Sequence, residues 1–393
     1  MSQVQSVLDK TRQFIRAEVL ALDDEFDGDI HAAGGEEARR RLQAGARAEG
    51  LLSPHGPVEY GGLGMDMSDR APVFEEAGYS LFGPVALNIN APDEGNVHLL
   101  DRVASDEQRE RYLKPLVQGE WRSAFAMTEP APGAGSDPAA LATRAARVDG
   151  GWLINGHKHF ITGADGADFF IIMARTSGEP GGAGGASMFL APAGREGIEL
   201  TRHIGTMDLS MLGGHCELLL NDVFVPDEDV LGEIDQGFRA AQVRLGPARM
   251  THVMRWTGAA RRAHEVAVRY AASRRAFGTR LADLGMAQQL IADNEIDLAA
   301  TRALLREACA ELDAGGRASK STSIAKTFAA EALNRVVDRA VQLCGGLGVS
   351  RDLPVAKIAR ELRPFRIYDG PSEVHRWSIA KRAVRELGEA EPR

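Results

Sequence analysis

The strongest constraint on the fold is the order in which two hydrophobic periodicities follow each other along the chain. The first regularly spaced residues recur every three or four positions, as on one face of an α-helix: Val4, Val7, Leu8, Thr11, Phe14, Ile15 and Val19. From about Ser123 the pattern changes to short apolar runs between turn residues, which predict strands at Trp152–Asn155, His159–Thr162, Phe169–Ala174, Ser187–Ala191 and Glu217–Phe224. After Gly237 the helical spacing returns, as in Ile324, Phe328, Ala332, Val336, Val337, Ala340 and Val341. This order disfavours a sheet built from alternating strands and helices.

The same pattern divides the 393 residues into three expected domains of an α+β multidomain protein. We predict an N-terminal α-helical domain at residues 1–122, a middle β-barrel or β-sandwich domain at residues 123–234, and a C-terminal four-helix bundle at residues 235–393. Within the first domain, further helices are expected near residues 36–49, 68–80, 93–103 and 106–117. The Gly- and Pro-rich segment Ser177–Gly185 lacks the Lys and Ser or Thr of a phosphate-binding P-loop, so we interpret it as a hairpin tip.

Charge and composition argue against several classes of function. The chain has 46 Lys and Arg against 55 Asp and Glu, a net charge of -9, which disfavours nonspecific binding to nucleic acid or to an anionic membrane. Residues 1–30 do not resemble a secretory signal, and no apolar run approaches the length of a bilayer span. Cys216, Cys309 and Cys344 form neither a CxxC pair nor a zinc pattern. We therefore expect a cytoplasmic protein with reduced cysteines and no metal site.

Five short segments contain the residues that could carry chemistry. The first, Phe125-Ala-Met-Thr-Glu-Pro130 with Gly133-Ala-Gly-Ser-Asp137, has glycines that let backbone N–H groups approach a ligand. The second contains Trp152-Leu-Ile-Asn-Gly156 and His159-Phe-Ile-Thr-Gly163, where Phe160 and Thr162 would share one face of a strand. The other three are Ser273-Arg-Arg-Ala-Phe-Gly278 with Gln288, Gln342-Leu-Cys-Gly-Gly346, and Ile367-Tyr-Asp-Gly-Pro-Ser-Glu373. Since no complete GxGxxG is present, a bound dinucleotide would not be held by a Rossmann fold.

In this order, the five segments resemble the acyl-CoA dehydrogenase family over nearly the whole chain. Three pieces are most similar to the branch that contains family members ten and eleven: Gly213-Gly-His-Cys-Glu217, Leu245-Gly-Pro-Ala-Arg249 and Asp369-Gly-Pro-Ser-Glu-Val-His375. The resemblance implies an FAD-dependent enzyme that removes two hydrogens from the α and β carbons of an acyl-CoA thioester. It also implies that electrons pass to an electron-transfer flavoprotein, and that the protein is a homo-oligomer, either a dimer or a tetramer built as a dimer of dimers.

The resemblance also assigns roles to individual residues. Asp369 is expected to be the catalytic base, its backbone N–H to donate to the thioester oxygen, and flavin N5 to accept the β hydride. Expected substrate contacts are Ser136, Arg249 and Gly370. Arg274 and Phe277 match positions on the pyrophosphate and adenine side of FAD, and the Gln342 segment matches one that reaches FAD bound by a neighbouring subunit. The full set expected to bind FAD is Phe125, Met127, Thr128, Gly135, Ser136, Phe160, Ile161, Thr162, Arg274, Phe277, Gln288, Gln342, Gly345, Gly346, Ser372 and Glu373.

Three positions depart from the family pattern. Phe160 replaces the usual Trp, Gly246 stands where an acid is common, and Asp369 is shorter than a glutamate base by one C–C bond, about 1.5 Å. We hypothesise that Pro371, which restricts Gly370, changes the local backbone so that Asp369 advances toward the substrate. The departures leave two alternatives open. One is a flavin oxidase of the same fold, of the nitroalkane or acyl-CoA oxidase type, and the other is a catalytically inactive flavin-binding scaffold.

Each candidate residue also has a purely structural interpretation. Asp369-Gly370 could simply be a turn, because Asp-Gly is a common turn pair. Arg249 and Arg274 could be exposed residues that pair with acidic side chains on helices. Phe160 could be core packing, because aromatic residues at strand spacing usually are. His157 and His159 alternate on a predicted strand without a supporting carboxylate pattern, so we interpret them as a partly buried, hydrogen-bonded pair rather than metal ligands.

Overall fold

A computed structural model of the protein describes residues 3–182 and 184–388. Its helices are α1 Gln3–Phe14, α2 Leu20–Glu25, α3 Glu36–Ala48, α4 Met67–Ala77, α5 Gly83–Ala86, α6 Asp93–Val103, α7 Asp106–Gln108, α8 Lys114–Val117, α9 Gly237–Ser273, α10 Gly285–Asp313, α11 Ser319–Cys344, α12 Val355–Leu362 and α13 Ser372–Gly388. Single π-helical turns join α1 to α2 and α7 to α8. The predicted succession of helices, strands and helices is confirmed.

The middle of the chain forms an eight-stranded sheet. Its strands are β1 Ser123–Ala126, β2 Arg144–Val148, β3 Gly151–Thr162, β4 Phe169–Arg175, β5 Ala186–Pro192, β6 Ile198–His203, β7 His215–Pro226 and β8 Val230–Leu231. They follow the order β6-β7-β3-β2-β4-β5-β8, and β1 pairs with β4 in parallel. A separate two-stranded sheet contains β9 Arg275–Ala276 and β10 Thr279–Arg280.

The strand predictions are confirmed for the buried strands, with one change. The two runs expected at 152–155 and 159–162 belong to the single strand β3, which carries irregularities in its pairing with β7. The segment 177–185 connects antiparallel β4 and β5, as predicted for a hairpin tip, although Ala183 lies outside the described residues. The sequence did not reveal β2 and β6, because most of their side chains are exposed and no apolar run marks them.

The described residues divide into two compact units. Unit 1 contains the segments 1–33, 66–84 and 246–393, and unit 2 contains the segments 34–65 and 85–245. The helices of the first third of the chain are therefore shared between the units, and the division on the C-terminal side falls within α9.

The core of unit 2 lies on both faces of β4. All seven residues of this strand are buried. Phe169, Ile171 and Met173 pack with apolar side chains of α6 and α8, whereas Phe170 and Ile172 pack with apolar residues of β3, β5 and β7. Because alternate residues of a strand point to opposite faces, burial on both sides explains why β4 is a continuous apolar run.

Unit 1 depends on a close approach between α4 and α9. A Cβ atom at Gly258 would lie 1.9 Å from the carbonyl oxygen of Glu75, and one at Gly78 would lie 2.1 Å from that of Arg255. The two backbones can approach this closely only because neither glycine has a side chain. Deeper in the unit, buried Asp23 accepts hydrogen bonds from Arg262 and Lys357.

None of the helices in the described ranges combines the length and hydrophobicity needed to cross a bilayer. The three cysteines are free and buried.

We predict that Gly258→Ala destabilises the protein by about 1 to 3 kcal/mol, because the new methyl group meets backbone atoms that cannot move aside. Gly285→Ala is the matched control, since nothing lies within 4 Å of a Cβ at this helical glycine. Its expected effect is within about 1 kcal/mol and favourable in sign. Chemical denaturation of both variants measures the difference, and equal stabilities would contradict the close approach.

Candidate functional site

The first two motif segments lie side by side in unit 2. The backbone N–H of His159 donates to the carbonyl of Thr128 at 2.9 Å, which joins the segment after β1 to β3. At this point β3 is irregular: its register against β7 shifts between Lys158 and Ile161, and Phe160 has a φ of 54°. A bulge of this kind re-aims side chains and is common beside functional sites.

The irregular part of β3 presents an aromatic ring and a hydroxyl together. Phe160 is 49% exposed and Thr162 is half-buried, whereas Ile161 between them is fully buried. Phe160 is therefore not core packing. An exposed ring next to a hydroxyl offers a planar aromatic ligand both a stacking surface and a hydrogen-bonding group.

A buried ion pair joins the same two segments from beneath. The amino group of Lys158 lies 2.9 Å from Oε1 of Glu129 and also donates to the carbonyl groups of Met127 and Met173. The carboxylate of Glu129 accepts from three backbone N–H groups, those of Ala134, Ala142 and Thr143. Although burial by itself raises the pKa of Glu129, Lys158 and these donors lower it overall, so the group is a carboxylate.

A second polar chain ends at Thr162. Its hydroxyl lies 2.9 Å from Nδ1 of His215, and Nε2 of His215 lies 2.9 Å from Oδ2 of Asp208. Burial raises the pKa of Asp208, but the hydrogen bond and charge of His215 lower it overall. Because a carboxylate only accepts, Nε2 of His215 donates to Asp208. This chain of contacts holds the Thr162 hydroxyl in place.

The remaining candidates of unit 2 lie in and after β1. Phe125 and Met127 are half-buried, and the guanidinium of Arg244 stacks 4.3 Å from the Phe125 ring. Gly135 and Ser136 are exposed, and nothing lies within 4 Å of a Cβ at Gly135. The loop at Gly135 and Ser136 is thus open to a ligand.

The pair His157 and His159 has a carboxylate partner that the sequence did not reveal. Nε2 of His159 lies 3.2 Å, and Nε2 of His157 lies 3.7 Å, from the carboxylate of Glu217, which also pairs with Arg202. No group of three His, Cys, Asp or Glu side chains in the described ranges has the geometry of a metal site.

In unit 1, three basic side chains hold the turn that contains Asp369. Nε of Arg249 and Nε2 of His375 lie 2.9 Å and 3.1 Å from the carbonyl oxygen of Asp369, and Nζ of Lys326 donates to the carbonyl of Gly370 at 2.7 Å. These groups come from α9, α13 and α11. Asp369 and Gly370 have φ values of 52° and 96°, and a left-handed backbone is uncommon for an aspartate. The turn is therefore maintained by tertiary contacts.

Burial changes the charge of the basic groups around Asp369. It lowers the pKa of Lys326 to about 8 and that of His375 to about 4, so His375 is neutral at pH 7 while Lys326 is largely charged. Burial also lowers the pKa of Arg249, an effect that Asp369 opposes. The side chain of Asp369 keeps 19% exposure. The structure thus brings together Asp369, Gly370 and Arg249, with an accessible carboxyl group beside buried positive charge.

The other candidates of unit 1 lie mostly on its surface. Arg274 follows the end of α9, and Phe277, with a φ of 52°, is 91% exposed in the turn between β9 and β10. Gln288 is exposed near the start of α10, and Gln342, Gly345 and Gly346 are exposed at the end of α11. At the start of α13, Ser372 is buried and Glu373 is exposed.

Three protein-family models match successive parts of the chain. They describe the N-terminal, middle and C-terminal domains of acyl-CoA dehydrogenases and match residues 2–120, 124–223 and 235–384.

Two curated relatives extend over almost the whole chain. The Mycobacterium tuberculosis protein named "Probable acyl-CoA dehydrogenase FadE2" is 36% identical over 380 residues, which are 94% of this chain and 92% of that protein. Acyl-CoA dehydrogenase family member 11 of Gallus gallus is 34% identical over 393 residues, or 96% of this chain. These residues are 50% of that relative, so the chain spans about half its length. The predicted likeness to the branch of members ten and eleven is confirmed.

Among solved structures, butyryl-CoA dehydrogenase from Megasphaera elsdenii has a TM-score of 0.87 and 28% identity. The match covers 98% of this chain and 99% of that chain. The predicted fold is confirmed.

We predict that Lys158→Met destabilises the protein by about 3 to 5 kcal/mol, because it leaves the carboxylate of Glu129 buried without its cation. Lys114→Met is the matched control, since Lys114 pairs with Glu110 on the surface at a similar distance of 2.9 Å. That change should cost far less, because water screens an exposed pair. Denaturant unfolding at pH 7 distinguishes the two, and equal losses would show that the buried pair is not important.

The pH dependence provides an independent check. Because the folded-state pKa of Glu129 is lowered from 4.5, its stabilisation is fully present above that value and is lost as the pH falls through the folded-state pKa. In Lys158→Met the buried carboxyl lacks the cation that lowers its pKa, so Glu129 of the variant protonates first and the stability difference from the native protein should shrink as the pH falls from 7. A constant difference in acid would contradict this account.

Proposed function

The chain belongs to the acyl-CoA dehydrogenase family of FAD-containing oxidoreductases, and on this premise we propose that it converts an acyl-CoA thioester to the 2-enoyl-CoA. The observation that carries the proposal is the turn of unit 1 in which buried basic groups hold a partly exposed Asp369.

In this proposal Asp369 takes the α proton. Negative charge then develops on the thioester oxygen, and a donor placed there stabilises it by about 3 to 4 kcal/mol. We assign this donor to the backbone N–H of Asp369. Displacement of water by the acyl chain raises the proton affinity of the carboxylate when substrate is bound, which suits a base. Arg249, Ser136 and Gly370 are proposed substrate contacts.

The residues of unit 2 fit a flavin ring. The exposed ring of Phe160 can stack on it, and Thr162, with Thr128, Met127 and the open loop at Gly135 and Ser136, can contact its edge, while the buried side chain of Ile161 packs behind them. When bound, FAD supplies the acceptor, flavin N5, for the β hydride. Phe125 belongs to the same group. On unit 1, we assign Arg274, Phe277, Gln288, Ser372 and Glu373 to the rest of FAD.

We also propose a homodimer or a tetramer built from dimers. Several large apolar side chains of unit 1 are exposed in a single chain, among them Phe277 at 91%, Met286 at 79% and Val349 at 75%. A second copy or a ligand would cover them. Gln342, Gly345 and Gly346 would then contact FAD bound by the neighbouring subunit. An electron-transfer flavoprotein is the proposed acceptor, and the buried reduced cysteines favour a cytoplasmic location.

The shorter base requires compensation. We propose that the left-handed backbone of Asp369 and Gly370, followed by Pro371, moves the carboxyl group toward the α carbon. The φ values of 52° and 96° support this idea, and the contacts of Arg249 and Lys326 explain how such a backbone persists.

The second candidate is a flavin oxidase, since nitroalkane oxidases resemble this chain in fold and in using an aspartate base. Reoxidation separates the two. A dehydrogenase reduced by its substrate should react slowly with oxygen and quickly with an electron-transfer flavoprotein, whereas an oxidase consumes oxygen at each turnover.

We predict that Asp369→Asn slows bleaching of the bound flavin by acyl-CoA by about 10²- to 10⁴-fold, because the variant cannot accept the α proton. The measurement is an anaerobic titration with a panel of acyl-CoAs, nitroalkanes and free acids, followed in the visible spectrum. Asp338→Asn, which changes an exposed aspartate of α11, should bleach like the native protein. Bleaching by nitroalkanes alone would establish the oxidase. A flavin that no compound reduces would establish the inactive scaffold.

A further inference from the structure

We propose that His252 is a positioning residue for Asp369, holding one carboxylate oxygen so that the other accepts the α proton, and that Arg255 fixes the tautomer of His252 that does so. This inference rests on the proposed function, because it assumes that Asp369 is the base.

The tautomer follows from the partner on the far side of the imidazole. Nη2 of Arg255 lies 2.8 Å from Nδ1 of His252. A guanidinium can only donate, so Nδ1 is the acceptor and the proton of a neutral His252 is on Nε2. That nitrogen lies 3.3 Å from Oδ2 of Asp369. The contact is close but does not meet hydrogen-bond geometry in this structure, and in the proposal the Nε2–H and the carboxylate align when substrate is bound.

The plane of the His252 ring is also fixed. The ring packs against Tyr368 at 4.8 Å and Phe365 at 6.1 Å between centroids. The indole N–H of Trp256 donates to the hydroxyl of Tyr368, which holds that ring in turn. His252, Arg255 and Trp256 are three and four residues apart, so one face of α9 supplies all of these groups. They are 6% to 7% exposed, which limits their motion.

The two carboxylate oxygens of Asp369 are therefore not equivalent. Oδ2 is buried and lies 3.3 Å from Nε2 of His252, whereas the side chain as a whole keeps 19% exposure. The accessible oxygen is the one that can meet a substrate. Once aligned with Oδ2, this N–H would restrict rotation of the carboxyl group and favour the charged form that acts as a base.

Other charged groups face Asp369 from each helix packed around it. Arg249 on α9 and Lys326 on α11 are positive, whereas His375 on α13 is neutral at pH 7. Glu331 and Glu373 act on Lys326. When the rate of flavin reduction is measured across pH, its decline at low pH (the acid limb) reports the titration of this coupled cluster. Changes in that limb between variants that differ only at His252 isolate the contribution of its N–H.

The test compares variants of the FAD-loaded protein in single-turnover flavin reduction by an active acyl-CoA, measured across pH. His252→Phe keeps a ring and removes the donor, and we expect the acid limb to move up by about one pH unit and the plateau rate to fall by about 10- to 100-fold. His252→Gln retains an N–H at a similar reach and should restore most of the limb. Arg255→Met, which frees the tautomer, should give an intermediate shift.

The controls separate positioning from folding. His264→Phe changes another buried histidine of α9, whose Nε2 lies 2.9 Å from Glu295, and should leave the pH profile unchanged. Melting temperatures identify variants that merely lose stability. A native limb and rate in folded His252→Phe, with Asp369→Asn inactive, would overturn the positioning role alone. Native activity in Asp369→Asn would instead overturn the proposed function.

Discussion

The candidate base depends on buried basic side chains whose N–H groups donate to backbone carbonyl groups. Arg249, His375 and Lys326 converge on the two peptide oxygens of the Asp369–Gly370 turn. A left-handed backbone conformation is unfavourable for an aspartate, and these contacts offset that strain. Since the three groups come from separate helices, the turn exists only when α9, α11 and α13 are packed together.

In unit 2, too, a buried basic side chain donates to backbone carbonyl groups. Lys158 is buried beneath the irregular part of β3, and its amino group is satisfied by Glu129 and by two carbonyl groups. Because desolvated charges are costly when unpaired, this arrangement tolerates little displacement. It holds the Thr128 segment beside Phe160 and Thr162, where a flavin ring is proposed to stack. A stacking site needs rigid support beneath its exposed surface, because a stacked ligand does little to hold the residues below it in place.

The histidines illustrate how much of a site the sequence conceals. His215 and His375 lie within recognisable segments, yet their contacts with Thr162 and Asp369 became visible only in three dimensions. His252 belongs to no recognisable motif. It lies more than 100 positions before Asp369 in the sequence, so only the folded structure shows that the two side chains are close. A polar residue that repeats the helical spacing of a buried face, as His252, Arg255 and Trp256 do, is the one signal that could have drawn attention to it.

The sequence by itself determined the order of helices and strands, the hairpin tip, the family and its cofactor, because hydrophobic periodicity and short motifs are local properties of a chain. It missed β2 and β6, whose exposed side chains leave no periodic signal. Only the tertiary structure decided which polar groups meet: Glu129 with Lys158, Thr162 with His215, and Asp369 with His252 and its three basic neighbours. These contacts join distant segments, and the energy of a buried polar group depends on the partners that folding brings to it.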